Sequence, residues 1–269
     1  MGAFLAVAQG SEKAPFMMHF SLNKTAAKKP LVLIGKGVTF DSGGISLKGG
    51  RGMMEMKADM TGACVVVSTL LALSSLKSKA SVEVLVPLVE NMPSHKAYRP
   101  GDIIVAMDKT SIEVVNTDAE GRLIMADAMC YAKTFNPKQV IDVATLTGSA
   151  VMALGPKATA LFGEDRNVEV FMKSAQKSPD TFWQMPLFEE YKEWLKSDMA
   201  DLKNCTEGKP AGAITAALFL QHFIGTIPWL HLDIAATMDV EKTKGARIKG
   251  FDVPCVHTLI QHIDRSLLC

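Results

Sequence analysis

Residues 31–35, Leu-Val-Leu-Ile-Gly, form an unbroken apolar run directly after Lys-Lys-Pro, the pattern of a strand buried on both faces of a sheet. A Gly-rich loop follows from Lys36 to about Met56, carrying Gly37, Gly43, Gly44, Gly49, Gly50 and Gly52. It ends where residues 58–76 turn apolar and helical. Further apolar runs predict strands at 82–89, 102–106, 110–115, 139–144, 158–163 and 229–234. Helical spacing predicts helices near 122–134, 167–176, 187–195, 211–224 and 252–266. Strands alternating with helices predict an α/β fold, a single three-layer α/β/α domain over residues 1–269 with a central mixed, mostly parallel sheet flanked by helices. The polar stretch from Ser11 to Lys29 reads as a loop or an edge hairpin, and no repeat or linker divides the chain.

Composition narrows the class. The 269 residues are 48% hydrophobic and 21% charged, with a net charge of +1, so no broad positive field draws in nucleic acid. The five cysteines form no C-x-x-C pair, which fits a reducing, cytoplasmic setting better than a disulfide framework. The apolar start lacks a basic region before it, and no later stretch reads as a membrane span, so no membrane association is expected. The sequons at Asn23 and Asn204 matter only in a secreted protein.

The densest chemical signal is Asn116-Thr-Asp-Ala-Glu-Gly-Arg-Leu123, between a β-branched run and a helical pattern, where open α/β sheets build their sites. If the segment stays extended, Asp118, Glu120 and Arg122 point the same way. Lys36, Asp41, Lys48 and Asp59 supply a second acidic and basic cluster over the Gly-rich loop. Should the clusters meet, Asp41, Asp59, Asp118 and Glu120 bring four carboxylates together, and crowded carboxylates need compensating cations. Two divalent ions would balance them, and oxygen-rich ligation suits Zn, Mn or Mg rather than a structural zinc site. The six histidines include no H-E-x-x-H, no serine sits in a G-x-S-x-G turn, and Gly35-Lys-Gly37 completes no nucleotide-binding loop.

The octapeptide Asn116–Leu123 resembles the signature of the leucine aminopeptidase (cytosol aminopeptidase) family. The resemblance extends to Gly35–Gly44, Lys57–Met60, Glu90–Ser94, Pro100–Asp102, Ala144–Gly148 and Pro210–Ala217, and covers residues from about 1 to 262. It implies that Asp41 and Glu120 bridge two metals, with Lys36 and Asp59 completing the tighter site and Asp118 the looser one. It implies that Asp59 also takes the substrate's free amino group and that Lys48 polarises the scissile carbonyl. Arg122 and backbone around Leu146 would hold a bicarbonate that serves as general base. Met56, Asn116, Ala119 and Thr145 would border the first side chain, an apolar one such as leucine.

The implied protein acts on peptides with a free N-terminus, as a homo-oligomer, a hexamer in the family. Family members carry a further N-terminal domain, so this chain reads as a fragment or a short isoform. Residues 243–248 and 249–255 depart from the family pattern. Two other readings are a non-catalytic homologue that keeps the fold and a dipeptidase such as a Cys-Gly hydrolase.

Overall fold

A computed structural model describes residues 1–25, 29–238 and 253–265. In chain order the elements are α1 (Gly2–Ala8), β1 (Phe16–Leu22), β2 (Leu31–Gly35), β3 (Gly37–Asp41), α2 (Thr61–Ser75), β4 (Val82–Asn91), β5 (Ile103–Val105), β6 (Ser111–Glu113) and α3 (Glu120–Lys133). They continue with β7 (Gln139–Ala144), α4 (Gly148–Leu154), β8 (Thr159–Gly163), α5 (Asp165–Ala175), β9 (Phe182–Gln184), β10 (Leu202–Lys203), α6 (Gly212–Ile224), β11 (Trp229–Asp233) and α7 (Val256–Arg265).

The main sheet runs β1-β4-β2-β7-β11-β8-β9, with β3 also paired to β4. Pairings β2/β4, β2/β7, β7/β11, β3/β4 and β8/β9 are parallel; β1/β4 and β8/β11 are antiparallel. Every residue of β2 and β11 is buried, because helices cover both faces of these central strands. One core joins α1, α3 and α6 to the sheet and the other joins α2, α5 and α7. The expected three-layer α/β domain with a mixed, mostly parallel sheet is what the chain forms. Leu123, Ile124 and Met125 of α3 are fully buried, each stabilising the fold by about 1.5–3 kcal/mol.

Several local expectations change. The Gly-rich loop contains β3, and Ser11–Lys29 contains the edge strand β1 rather than a hairpin. Residues Glu189–Leu195 form a 3-10 helix, where an α-helix was expected. The expected helix at 252–266 is α7; residues 252 and 266 and the atypical 243–248 segment lie outside the described residues. The helical stretch Met53–Ser75 has 23 residues and holds an 18-residue window of mean hydropathy 1.5, long and apolar enough to cross a membrane, contrary to the sequence reading. Half of that window is buried, and α2 packs on β2 and β7 as a core helix does.

Candidate metal centre

Lys36 sits where β2 gives way to β3. Its N–H donates to Val143 O at 3.0 Å, and its carbonyl accepts from Ala63 N at 2.9 Å, so β7 and the start of α2 both fix its backbone. Gly62 permits this closeness, since a Cβ there would collide with the Val143 carbonyl. The buried side chain reaches Asp59 Oδ1 at 2.8 Å and Glu120 Oε1 at 2.9 Å, and donates to Thr145 O at 3.0 Å. An ammonium has three protons, and here all three are used.

Asp41 ends β3. Its Oδ1 accepts from Gly43 N at 2.9 Å and Asn91 Nδ2 at 2.8 Å, and its Oδ2 lies 2.8 Å from Lys48 Nζ. Lys48 also pairs with Asp118. The turn that returns Lys48 over Asp41 passes through Gly43 at φ +88, a conformation that favours glycine. Thr117 stitches this turn to the signature segment: its Oγ1 donates to Gly43 O at 2.6 Å and accepts from Ser46 N at 2.8 Å.

The signature is not extended through Arg122, because α3 begins at Glu120. Asp118 lies in the preceding turn, its N–H bound to Asn116 Oδ1 at 2.7 Å. Asp118 and Glu120 still converge, but Arg122 leaves them: its Nη1 donates to Asn204 O at 3.0 Å, and its Nε is buried without a partner.

Burial and charge oppose each other throughout. Burial acts to lower the pKa of Lys36, but Asp59, Glu120 and Asp41 outweigh it and hold the amine well above its ordinary value. Burial also pushes Asp59 up to about 6 and Glu120 up to about 8, against the pull of Lys36. Asp41 is held below the usual carboxylate range, since Lys36 and Lys48 overcome its burial. Two lysines thus fail to compensate four carboxylates fully, and Asp59 Oδ2 and Glu120 Oε2 are buried with no hydrogen-bond partner. Ligand oxygens of Asp41, Asp118 and Glu120 lie within 4.8 Å of one another. Orphaned carboxylate oxygens at this spacing fit divalent cations.

A family model for the catalytic domain of the cytosol aminopeptidase family matches residues 1–259. The chain belongs to the cytosol aminopeptidase family. A probable cytosol aminopeptidase of Syntrophotalea carbinolica is 51% identical over 238 residues, 88% of this chain and 48% of that protein. One of Hydrogenovibrio crunogenus is 49% identical over 260 residues, 95% of this chain and 52% of that protein. The solved bottromycin maturation enzyme BotP superposes over 100% of this chain and 58% of its own, with a TM-score of 0.90 at 38% identity. The chain thus spans about half the length of the curated relatives it matches.

Of the residues that the cytosol aminopeptidase resemblance singled out, Lys36, Asp41, Lys48, Asp59, Asp118 and Glu120 border one cavity of about 240 Å³ with Met56, Thr145 and Leu146. Arg122, Asn116 and Ala119 do not line it. The same walls include Thr147 and Gly148 of the Ala144–Gly148 segment, and Val151, Ala235 and Met238, which sequence reading missed. The N–H of Leu146 donates to Asp233 Oδ1 at 3.1 Å. Gly148 and Val151 also open onto a wider apolar groove of about 910 Å³ that includes Met152, Met185 and Ile214. Asn204, one of the two sequon asparagines, is fully buried and its side chain is engaged by Val115 N, Asn116 N and Asn116 O, so it has no room for a glycan.

Proposed function

We propose that the chain is a two-metal aminopeptidase that removes N-terminal residues, apolar ones such as leucine, from peptides with a free amino end. The observation that carries this reading is the buried pair of partnerless oxygens on Asp59 and Glu120, beside Asp41 and Asp118. Asp41 and Glu120 would bridge the two ions, Lys36 and Asp59 would complete one site, and Asp118 the other. As a ligand Lys36 must lose the proton its carboxylates now hold, a cost that two adjacent dications offset. Bound divalent ions supply Lewis acidity toward the scissile carbonyl and a water of lowered pKa. Zn, Mn and Mg all accept such oxygen ligands.

The chain's own groups supply the rest. Asp59, beside a bound ion, would take the substrate's free amino group, which accounts for action at free N-termini alone. Lys48 faces the carboxylates from the loop and stabilises negative charge as it develops on the carbonyl oxygen. Met56, Thr145, Ala235 and Met238 make a largely apolar wall for the first side chain. Arg122 would hold bicarbonate, which supplies a general base. By the same resemblance the protein works in the cytoplasm as a homo-oligomer, a hexamer.

Hydrolysis of a leucyl chromogenic amide by the metal-stripped protein, titrated with Mn, Zn and Mg, tests this reading. Metal-restored cleavage, absent with an N-acetylated substrate, is the expected result. A folded, metal-loaded sample that cleaves nothing contradicts it.

A further inference from the structure

The geometry points to Asp233 as a positioning residue that locks together the two loops forming the first-side-chain wall, and so sets selectivity among apolar N-terminal residues. The inference rests on the aminopeptidase reading for its substrate, though not for its geometry. Asp233 ends β11 and is fully buried. Its Oδ1 accepts from Leu146 N at 3.1 Å, Thr147 N at 3.4 Å and Ala235 N at 3.2 Å, and its Oδ2 accepts from Thr147 Oγ1 at 2.7 Å. One carboxylate therefore grips both the loop after β7 and the loop after β11.

Both loops line the catalytic cavity, the first through Thr145, Thr147 and Gly148, the second through Ala235 and Met238. The first also reaches the charged cluster, since Thr145 Oγ1 donates to Asp59 Oδ1 at 2.6 Å and Thr145 O accepts from Lys36. Thr147 Oγ1 in turn accepts from Ala150 N at 3.1 Å and starts α4. Among the described residues, every hydrogen bond to the Asp233 carboxylate comes from one of these two loops, so the carboxylate serves the wall. Asp142 on the neighbouring strand gives the contrast. It is just as buried, but its oxygens accept from Trp229 Nε1 at 2.7 Å and bind His231 Nδ1 at 2.6 Å, all within the sheet and away from either loop.

The test compares Asp233→Asn, Thr147→Val and Asp142→Asn in the full chain with bound Mn, checking each fold by circular dichroism. Selectivity is read as kcat/KM for leucyl over alanyl amides, and loop order by hydrogen exchange at 145–147 and 235–238. Asp233→Asn and Thr147→Val are expected to lower the leucyl preference about tenfold, mainly through KM, the size of discrimination an apolar pocket supplies. Exchange should rise in both loops together in Asp233→Asn. Asp142→Asn should keep the wild-type preference despite any loss of stability. Folded, active Asp233→Asn and Thr147→Val enzymes with wild-type preference and exchange overturn the inference. A wild-type chain silent toward both amides strikes the aminopeptidase reading instead, and exchange then decides whether Asp233 couples the loops.

Discussion

Lys36 Nζ lies 2.9 Å from Glu120 Oε1, and Gly121, the residue after that glutamate, packs so closely that a Cβ would sit 2.6 Å from Lys36 Cε and 2.7 Å from its Nζ. Gly121→Ala should therefore push Lys36 away from Asp59 and Glu120. Alanine favours a helix over glycine by about 1 kcal/mol, so α3 itself is not weakened. A lower unfolding midpoint from the parted buried charges, with metal affinity and leucyl amide turnover both sharply reduced, is the expected set of results.

Lys48 pairs with Asp41 and Asp118 from a loop that is partly open to solvent. Lys48→Ala removes a preorganised charge from the site without touching the core. Turnover should fall about 10²–10³-fold, with metal stoichiometry retained. Steady-state kinetics beside metal analysis separates the two.

His262, far in sequence from the signature, gives a pH prediction. Burial lowers its pKa to about 4 from the ordinary 6.5, with Arg265 and Lys138 adding to the effect; its ring packs on Phe171, and its Nε2 bonds Gln139. The folded state thus binds fewer protons here than the unfolded one. The stability it contributes is full above pH 6.5 and is lost as pH falls from 6.5 through 4, on the order of 3 kcal/mol. Denaturant titrations at pH 7.5 and 4.5 should show a smaller drop for His262→Gln than for the wild type.

Asn204 holds the signature from behind, through Val115 N at 2.7 Å and Asn116 O at 2.7 Å, while its own carbonyl takes Arg122. Asn204→Ala leaves part-buried backbone groups unpaired and should cost about 1 kcal/mol. Lower turnover from a displaced Arg122 should accompany the lower unfolding midpoint.

The central strands were legible because strands covered on both faces read as largely apolar runs, continuous in Leu31–Gly35 and interrupted only by His231 and the terminal Asp233 in Trp229–Asp233. β3 was hidden because its five residues lie among the glycines of the loop. α4 was missed although Thr147, whose side chain caps it, is the usual kind of start signal; seven residues are too few to show a helical period. The acidic positions of the site were readable as types, and their convergence came only from the family resemblance: the extended reading of 118–122 fails where α3 begins. Asn91, Asn204 and Asp233 could not be found from the sequence, since each acts on a segment brought to it only by the finished sheet.

The central claim is a pair of divalent ions held by Lys36, Asp41, Asp59, Asp118 and Glu120. Calorimetric titration of Mn into the metal-stripped chain tests it most directly, with Glu120→Ala and Asp118→Ala alongside. Two ions per wild-type chain, loss of both sites in Glu120→Ala and of only the weaker one in Asp118→Ala are predicted. Absence of binding, or stoichiometry indifferent to Glu120, would contradict the account.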